Sequence, residues 1–566
     1  MKNCKYNIPL QENLEFEAVD KAMGSIETSA LTLSEEAVSA SVNRYKQNGA
    51  AKKVLGAVYT PPRVASALVR WAIRSHHDKV LDPSCGDGVF LKAAKEHMIA
   101  IGNKKPFCMG VDIDPKAAAE SSAICADFFE WALDAPRFDA IVGNPPFIRS
   151  HLFPEPSRKV AFHQMGKMGL HPSRLMSTWV PFVAISSKLL TENGRMAFVI
   201  PEELLHVSYA EELRRLLLKF FRRVIICVPN GSIFSTVQQS VVLLLCENET
   251  SGPAGLLTIS FSQLEKGPPY DTDSAPEWDW TPKWTHVFLS ADERSFVSKV
   301  FSGLGWKPLS EYGRVEVGVV TGDNNFFIVP ESKVKKLKAD NLFTPIITSA
   351  RELQGIQFAA QDFKNLARNG NSLFLISTAE SLKNLPQSLQ EYLSEGIKEG
   401  IHQRYKCRIR DPWYAVPSIW PADAILLRQA GEVPRLVHLT RKCTSTDTVH
   451  RVRWRKQSLG KLHAASFMNT FTLIACELTG RSYGGGVLEL MPSEANNIPL
   501  PPPMPLLGAF FDEIDSLARQ RHFDKTSELI DQIVVPKTFT RNDLLIARTI
   551  LAKLITRRKN KKNGHS

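Results

Sequence analysis

The stretch VLDPSCGDGVFL, residues 80–91, has the pattern of a buried strand, a tight turn and the start of a helix. Gly86 and Gly88 let the backbone turn sharply and approach a ligand without a Cβ in the way. A helix N-terminus normally favours an anion. Asp82 and Asp87 are themselves anionic, so the turn suits a ligand with an ammonium group and hydroxyls better than a pyrophosphate. It also lacks the G-x-G-x-x-G and G-K-[ST] patterns of nucleotide-binding loops.

Strand-like runs alternate with amphipathic helical segments around this turn. Seven strands are predicted, within residues 79–84, 107–114, 123–129, 138–146, 195–201, 222–229 and 240–247. Such alternation predicts a mostly parallel, doubly wound α/β sheet with helices on both faces. Residues 230–239 are too short for a crossover helix, so we expect the last strand to be an antiparallel edge strand.

The length of 566 residues exceeds what one hydrophobic core usually organises, so we expect several domains. Residues 1–50 are polar and weakly helical and are expected to form an N-terminal helical arm, and the α/β domain is expected over residues 51–260. Residues 261–285 are rich in proline and aspartate and are interpreted as a linker. A mixed α+β domain with a basic C-terminal tail is expected over residues 286–566.

The composition favours a nucleic-acid partner. The net charge of +12 and the pI near 9.1 point to an anionic partner, although a merely basic surface is the alternative. Nine scattered cysteines without a C-x-x-C pair argue against disulfides and a zinc site, so we expect no metal and a reducing cytoplasm. No signal-peptide pattern or long apolar run is present in the sequence, so we expect no membrane association.

Further acidic residues follow the glycine turn in an order that suits a nucleoside. Asp112 ends the next predicted strand, where an acidic side chain can accept both hydroxyls of a ribose. Asp127 can accept from an adenine amino group, and Phe128 can cover the ring. Each residue alone is equally a turn or core residue. As an ordered set they predict a pocket for adenosine with a cationic amino-acid tail, which is S-adenosylmethionine.

The segment FDAIVGNPPFIRS, residues 138–150, ends a predicted strand with two prolines. An adenine N6 amino group is a poor nucleophile unless acceptors hold its hydrogens. The Asn144 amide oxygen and the Pro145 carbonyl can supply two such acceptors, and the prolines fix them in place. Phe147 offers a face for stacking an extruded base. The alternative is a rigid turn. No covalent intermediate is needed, so Cys85 is not expected to be a nucleophile.

Together these motifs resemble the adenine-N6 DNA methyltransferases of type II restriction–modification systems, and more narrowly their gamma class. The resemblance covers about residues 53–250 and implies a seven-stranded, Rossmann-like methyltransferase domain followed by a target-recognition domain. It implies S-adenosylmethionine without a metal as the cofactor, and duplex DNA with a flipped adenine as the substrate. The catalytic residues that it implies are Asn144, Pro145, Pro146 and Phe147, with Phe147 and Phe234 stacking on the target base. The implied cofactor-binding residues are Tyr59, Thr60, Pro61, Asp82, Pro83, Ser84, Gly86, Asp87, Gly88, Asp112, Ile113, Asp127 and Phe128.

Residues 401–461 contain 13 lysines and arginines against four acidic residues, with aromatic residues interleaved. Such a surface is typical of phosphate contact and base stacking, although a solvated basic face is the alternative. The predicted DNA-binding residues are Arg404, Lys406, Arg408, Arg410, Arg451, Arg453 and Arg455. The tail RRKNKKNGHS, residues 557–566, is interpreted as a disordered DNA contact or a solubilising end.

Other amino-group transfers remain open at this point, namely to cytosine N4, RNA adenine or protein glutamine. Cytosine-N4 enzymes more often carry serine at the position of Asn144, and the large basic second domain disfavours a small substrate. A non-catalytic DNA-binding specificity subunit is a further alternative, which the intact Asp82, Asp112 and Asn144 disfavour. We expect a monomer in the bacterial cytoplasm, linked in function to a cognate restriction endonuclease without necessarily binding it.

Overall fold

A mixed β-sheet organises the first half of the chain. The computed structural model describes residues 60–229, 241–249, 253–267, 273–274, 282–483 and 486–560. Within them this sheet has nine strands in the order β3-β2-β1-β4-β5-β7-β6-β8-β9. The strands are β1 Val80–Asp82, β2 Cys108–Asp112, β3 Ile124–Cys125, β4 Phe138–Gly143, β5 Leu190–Pro201, β6 Arg223–Cys227, β7 Val241–Glu247, β8 Gly255–Ile259 and β9 Asp273–Ser274.

Each of the seven predicted strand segments contains or overlaps one of the strands β1–β7. Strands β1–β5 pair in parallel, and β7 runs antiparallel to both β5 and β6. The prediction that β7 is an edge strand is wrong. Its residues are all buried, and β7 lies between two strands while β8 and β9 extend the sheet beyond seven strands. A sequence run that is apolar on both faces is typical of such an interior position.

Helices cover both faces of this sheet, as the alternating pattern predicts. They are α1 Pro62–Ala72, α2 Val89–Ala100, α3 Pro115–Ser121, α4 Phe128–Trp131, α5 Glu155–Lys167, α6 Trp179–Lys188, α7 Glu211–Phe220 and α8 Phe261–Lys266. Proline at the first position starts α1, whose buried face includes Val64, Leu68 and Trp71. Separate apolar clusters fill the two sides of the sheet. The arrangement is an α/β fold.

The second half of the described chain is a mixed α+β structure. Its strands are β10 Lys307–Pro308, β11 Gly313–Val317, β12 Ile328–Pro330, β13 Phe343–Ile347, β14 Gln357–Phe358, β15 Ser372–Ile376, β16 Ala424–Leu426, β17 Gln429–Ala430, β18 Leu436–Leu439, β19 Thr444–Ser445, β20 His450–Trp454, β21 Arg481–Tyr483, β22 Val487–Glu489 and β23 Pro499–Leu500. The largest sheet among them has the order β11-β20-β16-β18-β14.

Fourteen α-helices, besides several short 3-10 helices, accompany these strands within the described residues. They are α9 Ala291–Leu304, α10 Leu309–Tyr312, α11 Asn324–Phe327, α12 Glu331–Leu337, α13 Ala360–Arg368, α14 Gln387–Lys398, α15 Tyr405–Arg408, α16 Gly460–Ser466, α17 Thr470–Thr479, α18 Pro492–Ala495, α19 Leu506–Ala509, α20 Phe511–Arg519, α21 Phe523–Val534 and α22 Arg541–Asn560. The described residues of both halves belong to one compact unit, and the boundary between two domains stays a prediction.

The predicted linker is partly ordered structure. Helix α8 lies inside residues 261–285, and a capping box between Ser260 and Gln263 starts it. Further on, the Trp284 backbone N–H donates to the Leu205 carbonyl at 2.8 Å. Lys283 is buried and forms an ion pair with Glu494 at 2.7 Å. The end of this segment therefore packs against both halves of the chain.

The basic tail also differs from its prediction. Residues up to Asn560 form the end of α22, and the Arg558 side chain is 1% exposed. Its guanidinium donates to the Glu477 carboxylate at 2.8 Å, and it also donates to backbone carbonyls such as that of Glu432. Arg557 forms an ion pair with Glu202 at 2.9 Å. These two arginines have a structural role because each neutralises a buried carboxylate. Residues 561–566 and the predicted N-terminal arm, residues 1–50, lie outside the described residues.

Two negative findings concern the described part of the chain. None of its helices is long and apolar enough to span a membrane. Its histidine, cysteine and acidic side chains form no group of three or more that could hold a metal ion.

Candidate active site

The predicted site residues meet where the strand order of the first sheet reverses. Strand β1 has β2 on one side and β4 on the other, and ligands bind at the carboxyl ends of strands at such a switch point. Asp82 is the last residue of β1, and Asn144 directly follows β4. A Cβ on Gly143 would lie 2.6 Å from Asp82 Oδ1, so the two strand ends approach closely because position 143 has no side chain.

Hydrogen bonds join three motifs that are distant in sequence. The Asn144 Nδ2 atom donates to Thr60 Oγ1 at 3.0 Å, and Ser84 Oγ donates to the Asn144 backbone carbonyl at 3.3 Å. Thr60 is 3% exposed, so the bond to Asn144 is shielded from water. The amide of Asn144 is thereby oriented by the segment before α1, and its backbone by the glycine turn.

The glycine turn is tied to the predicted ribose-binding acid. The Gly86 N–H donates to Asp112 Oδ2 at 2.8 Å, and the Asp114 N–H donates to the other oxygen, Oδ1, at 2.8 Å. Each oxygen keeps a second lone pair for a ligand hydroxyl. Gly86 and Gly88 have φ values of 51° and 77°, a region that favours glycine.

Asp82 is a buried carboxyl group with an unsatisfied atom. It is 1% exposed, and the Ser84 N–H donates to its Oδ1 at 3.2 Å. Within the described residues Oδ2 has no hydrogen-bond partner. Burial, with the nearby Asp112 and Asp87, raises the pKa of Asp82 well above its ordinary value. A cationic group beside Oδ2 would satisfy this atom and lower that pKa, so the site fits a ligand with an ammonium group.

The two proline carbonyls of the Asn-Pro-Pro-Phe motif differ in their partners. Thr178 Oγ1 donates to the Pro146 carbonyl, and the same hydroxyl accepts from the Ile148 N–H at 3.1 Å. No described group donates to the Pro145 carbonyl. The carbonyl that the sequence assigned as an acceptor is therefore the one without a donor among the described residues. Thr178 was not predicted, because it lies 32 residues after Pro146 and no local pattern links them.

The roles predicted for Asp127 and Phe128 are corrected in part. The Phe128 ring is 3% exposed and stacks on Phe182 at 4.7 Å, so it belongs to the core and offers no face to an adenine. Asp127 caps α4 by accepting from the Phe129 N–H at 2.8 Å, and its other oxygen accepts from Ser157. Burial raises the pKa of Asp127.

Other predicted site residues vary in exposure. Pro83 and Pro145 are buried, Asp87 is exposed, and Pro61, Ile113, Pro146 and Phe147 are half-buried. Phe147 packs against the apolar clusters on both sides of the sheet. Cys85 is buried, and burial with nearby carboxylates raises the pKa of its thiol to about 12, which does not suit a nucleophile. Tyr59 and Phe234 lie outside the described residues.

The predicted DNA-binding cations of the second half separate into two groups. Arg451 is 2% exposed, donates to the carbonyls of Val317 and Ser418, and has a pKa that burial lowers to about 10. Arg410 donates to two backbone carbonyls at 2.7 Å. Because Arg451 is buried among backbone carbonyls, the prediction that it binds DNA is wrong, whereas the DNA contact of the half-buried Arg410 stays a prediction. The exposed members are Arg404, which pairs with Asp323, and Lys406, Arg408, Arg453 and Arg455.

The fold is that of an α/β protein whose predicted site residues lie at the ends of β1 and β4. The family model described as Eco57I restriction-modification methylase matches residues 89–229. That of the type II methyltransferase M.Eco57I, C-terminal domain, matches residues 281–535. Both halves of the chain are therefore similar to type II restriction–modification methyltransferases.

Individual relatives extend this similarity over most of the chain. The type II methyltransferase M.AccI of Acinetobacter calcoaceticus is 24% identical over 471 residues, which cover 79% of this chain and 85% of the relative. M.XamI of Xanthomonas campestris pv. amaranthicola is 24% identical over 486 residues, with the same shares. The type IIL restriction-modification enzyme MmeI in complex with DNA is 12% identical, with a TM-score of 0.48, over 94% of this chain and 76% of that structure.

Proposed function

We propose that the chain is a sequence-specific DNA methyltransferase that transfers a methyl group from S-adenosylmethionine to N6 of a flipped adenine in duplex DNA. It acts as a monomer in the bacterial cytoplasm and protects host DNA from a cognate restriction endonuclease. The observation that carries the proposal is the pair formed by the Asn144 amide and the Pro145 carbonyl at the switch point beside Asp82. Its relationship to type II methyltransferases supports DNA as the substrate.

The chain's own groups act on the amino group of the target base. The Asn144 amide oxygen and the Pro145 carbonyl each accept one hydrogen of that group, which directs the nitrogen lone pair out of the ring system. The prolines and Thr178 hold these acceptors in place before the substrate arrives, so little reorganisation is needed. Phe147 stacks on the extruded base.

The residues present fit the methyl donor. Asp82 would bind the ammonium group of S-adenosylmethionine, and Asp112 would bind its ribose hydroxyls. The glycine turn would let the backbone approach the donor closely. Asp127 receives the adenine amino group with the lone pairs that its capping bonds leave. When bound, S-adenosylmethionine supplies an electrophilic methyl group on a sulfonium.

Identification of the methylated base tests the proposal. Unmodified genomic DNA is incubated with the protein and labelled S-adenosylmethionine, and the DNA is digested to nucleosides for mass spectrometry. We expect label in N6-methyladenine, and we expect sequencing of the undigested product to place the modified adenines in one recurring sequence. Label in N4-methylcytosine, in RNA or in protein contradicts the adenine assignment, and no transfer to any DNA contradicts the enzyme assignment.

Asp82→Asn is expected to weaken donor binding while it stabilises the fold. Loss of a charge-assisted hydrogen bond of about 1.5–3 kcal/mol raises the Kd for S-adenosylmethionine roughly 10- to 100-fold. The pKa of Asp82 is higher in the folded protein than in the unfolded chain, where it is 3.8. Above that pH the unfolded chain releases a proton that the folded protein keeps. The wild type therefore loses stability as the pH rises. The variant is therefore more stable than the wild type at pH 8, and this gain shrinks towards pH 4.

Calorimetric titration and thermal unfolding at several pH values measure these two effects. The exposed Asp134→Asn is the matched control, which removes one carboxylate without changing either quantity. An unchanged Kd in Asp82→Asn contradicts the role of Asp82 in donor binding.

Thr178→Val is expected to slow methyl transfer without weakening donor binding. The isosteric change leaves the Pro146 carbonyl and the Ile148 N–H unpaired, so the neighbouring Pro145 carbonyl is less well fixed. We expect kcat to fall roughly tenfold, and Thr178→Ser to restore it. Thr191→Val, which breaks a hydroxyl bond to Asp139 at the opposite edge of the sheet, is the control. If both valine variants lose kcat equally, Thr178 has only a structural role.

A further inference from the structure

Residues 149–177 form a 29-residue excursion between Ile148, which follows the Asn-Pro-Pro-Phe motif, and Thr178. We call the Ile148–Thr178 pair, where the two ends of the excursion meet, its neck. Two hydrogen bonds close its neck: the Ile148 N–H donates to Thr178 Oγ1, and the Thr178 N–H donates to the Ile148 carbonyl, both at 3.1 Å. Ile148 is one residue from Phe147. Whatever the neck contacts is therefore next to the group proposed to stack on the target base.

The excursion carries an excess of positive charge. It contains five lysines and arginines, three histidines and one acidic residue. The single acid, Glu155, forms an ion pair with Arg158, and Arg158 Nη1 also donates to the Ser150 carbonyl at 3.4 Å. The four remaining cations are exposed and form no ion pair with any described residue: Arg149, Lys159, Lys167 and Arg174. These four charges face solvent, and Arg149 lies two residues from Phe147 of the proposed active site, where an anionic polymer would meet it.

Exposed leucines accompany the two arginines nearest the neck. On the outgoing side Arg149 is followed by Leu152, which is 46% exposed, and on the returning side Arg174 is followed by Leu175, which is 74% exposed. Each side of the neck therefore presents one arginine and one leucine within four residues of the Ile148–Thr178 pair. Proteins that distort duplex DNA combine phosphate-binding cations with apolar side chains that contact unstacked base steps.

We propose that this neck is a second DNA-contact surface, separate from the basic residues of the second half, and that it grips the duplex around the extruded adenine. Arg149 and Arg174 hold backbone phosphates on either side of the target nucleotide. Leu152 and Leu175 contact the bases that lose their stacking partner when the adenine leaves the helix. The inference rests on the proposed function, since it requires a flipped base in duplex DNA.

The charge part is tested with the double variant Arg149→Ala/Arg174→Ala in the full chain. The logarithm of the DNA-binding constant falls with the logarithm of the salt concentration, with a slope of about −0.9 per phosphate contact. Losing two contacts therefore lowers the magnitude of this slope by about 2. The KM for DNA rises roughly tenfold at moderate salt. The matched control, Lys104→Ala/Lys105→Ala, removes two exposed charges at the opposite edge of the sheet, before β2. The control keeps the wild-type salt slope, and both variants keep the wild-type Kd for S-adenosylmethionine.

The leucine part is tested with Leu175→Ala on two duplexes. Extrusion from a mismatched pair costs less than from a Watson–Crick pair. We therefore expect the variant to methylate a paired target roughly tenfold more slowly than the wild type, and a mismatched target at nearly the wild-type rate. An equal loss on both duplexes contradicts the role of Leu175 in extrusion, and an unchanged salt slope in the arginine double variant overturns the DNA contact. If the wild type methylates no DNA at all, the proposed function itself fails, which is a separate outcome.

Discussion

Asn144→Ala is expected to abolish methyl transfer, lowering kcat roughly a thousandfold or more, while S-adenosylmethionine still binds. The amide oxygen is proposed to accept a hydrogen of the target amino group as its nitrogen begins to bond to the methyl carbon. This interaction strengthens only along the reaction, so its loss changes kcat far more than donor affinity. Labelled-methyl transfer to DNA and calorimetric titration of the donor give the two quantities.

Two comparisons make this result specific. Asn369→Ala removes an exposed amide at the end of α13 and leaves kcat unchanged. Asn144→Asp keeps an acceptor oxygen but lacks the Nδ2 donor to Thr60, so its carboxyl group is no longer held in the orientation of the amide and its activity stays low. Substantial transfer by Asn144→Ala contradicts the assignment of Asn144 as a catalytic residue.

Arg558→Ala is expected to destabilise the fold by about 3–5 kcal/mol, because it leaves the buried Glu477 carboxylate without its cation. Burial raises the pKa of Glu477 even with Arg558 present, so the unpaired carboxylate has no favourable environment. The free energy of unfolding in urea measures the loss.

The first control for this loss is Arg541→Ala, an exposed change at the other end of α22. In the double variant Arg558→Met/Glu477→Leu, an apolar pair replaces the ionic one, and part of the stability is expected to return, while the backbone carbonyls that Arg558 bonded stay without a donor. If Arg558→Ala has the same free energy of unfolding as the wild type, Arg558 has no structural role at the end of α22.

The sequence predicts the strands of the first sheet and the strand ends at which the site residues meet, because both depend on local patterns. Strands β1–β7 follow from apolar runs, and the meeting of Asp82, Asp112 and Asn144 follows because residues at the carboxyl ends of parallel strands share one edge. The adenine-N6 specificity and the recognition role of the second half stay proposals.

Long-range packing accounts for what the sequence could not indicate. Phe128 belongs to the core because Phe182, 54 residues away, stacks on it, and Arg451 is buried because distant carbonyls and Trp420 surround it. Basic residues in a sequence do not distinguish exposed cations from buried ones. For the same reason the sequence placed the tail in solvent, although Arg558 neutralises a buried carboxylate.

The close approach at Gly143 has a consequence for inhibitor chemistry. Strands β1 and β4 are hydrogen-bonded neighbours, so their ends lie about 5 Å apart, and no side chain at position 143 separates them. Under the proposed function, the donor-binding Asp82 and the acceptor Asn144 therefore stand at adjacent strand ends, with no side chain at position 143 between them. A bisubstrate compound, with an adenosine joined by a short linker to a purine amine, is therefore expected to occupy both proposed sites at once, because no side chain at position 143 blocks the linker.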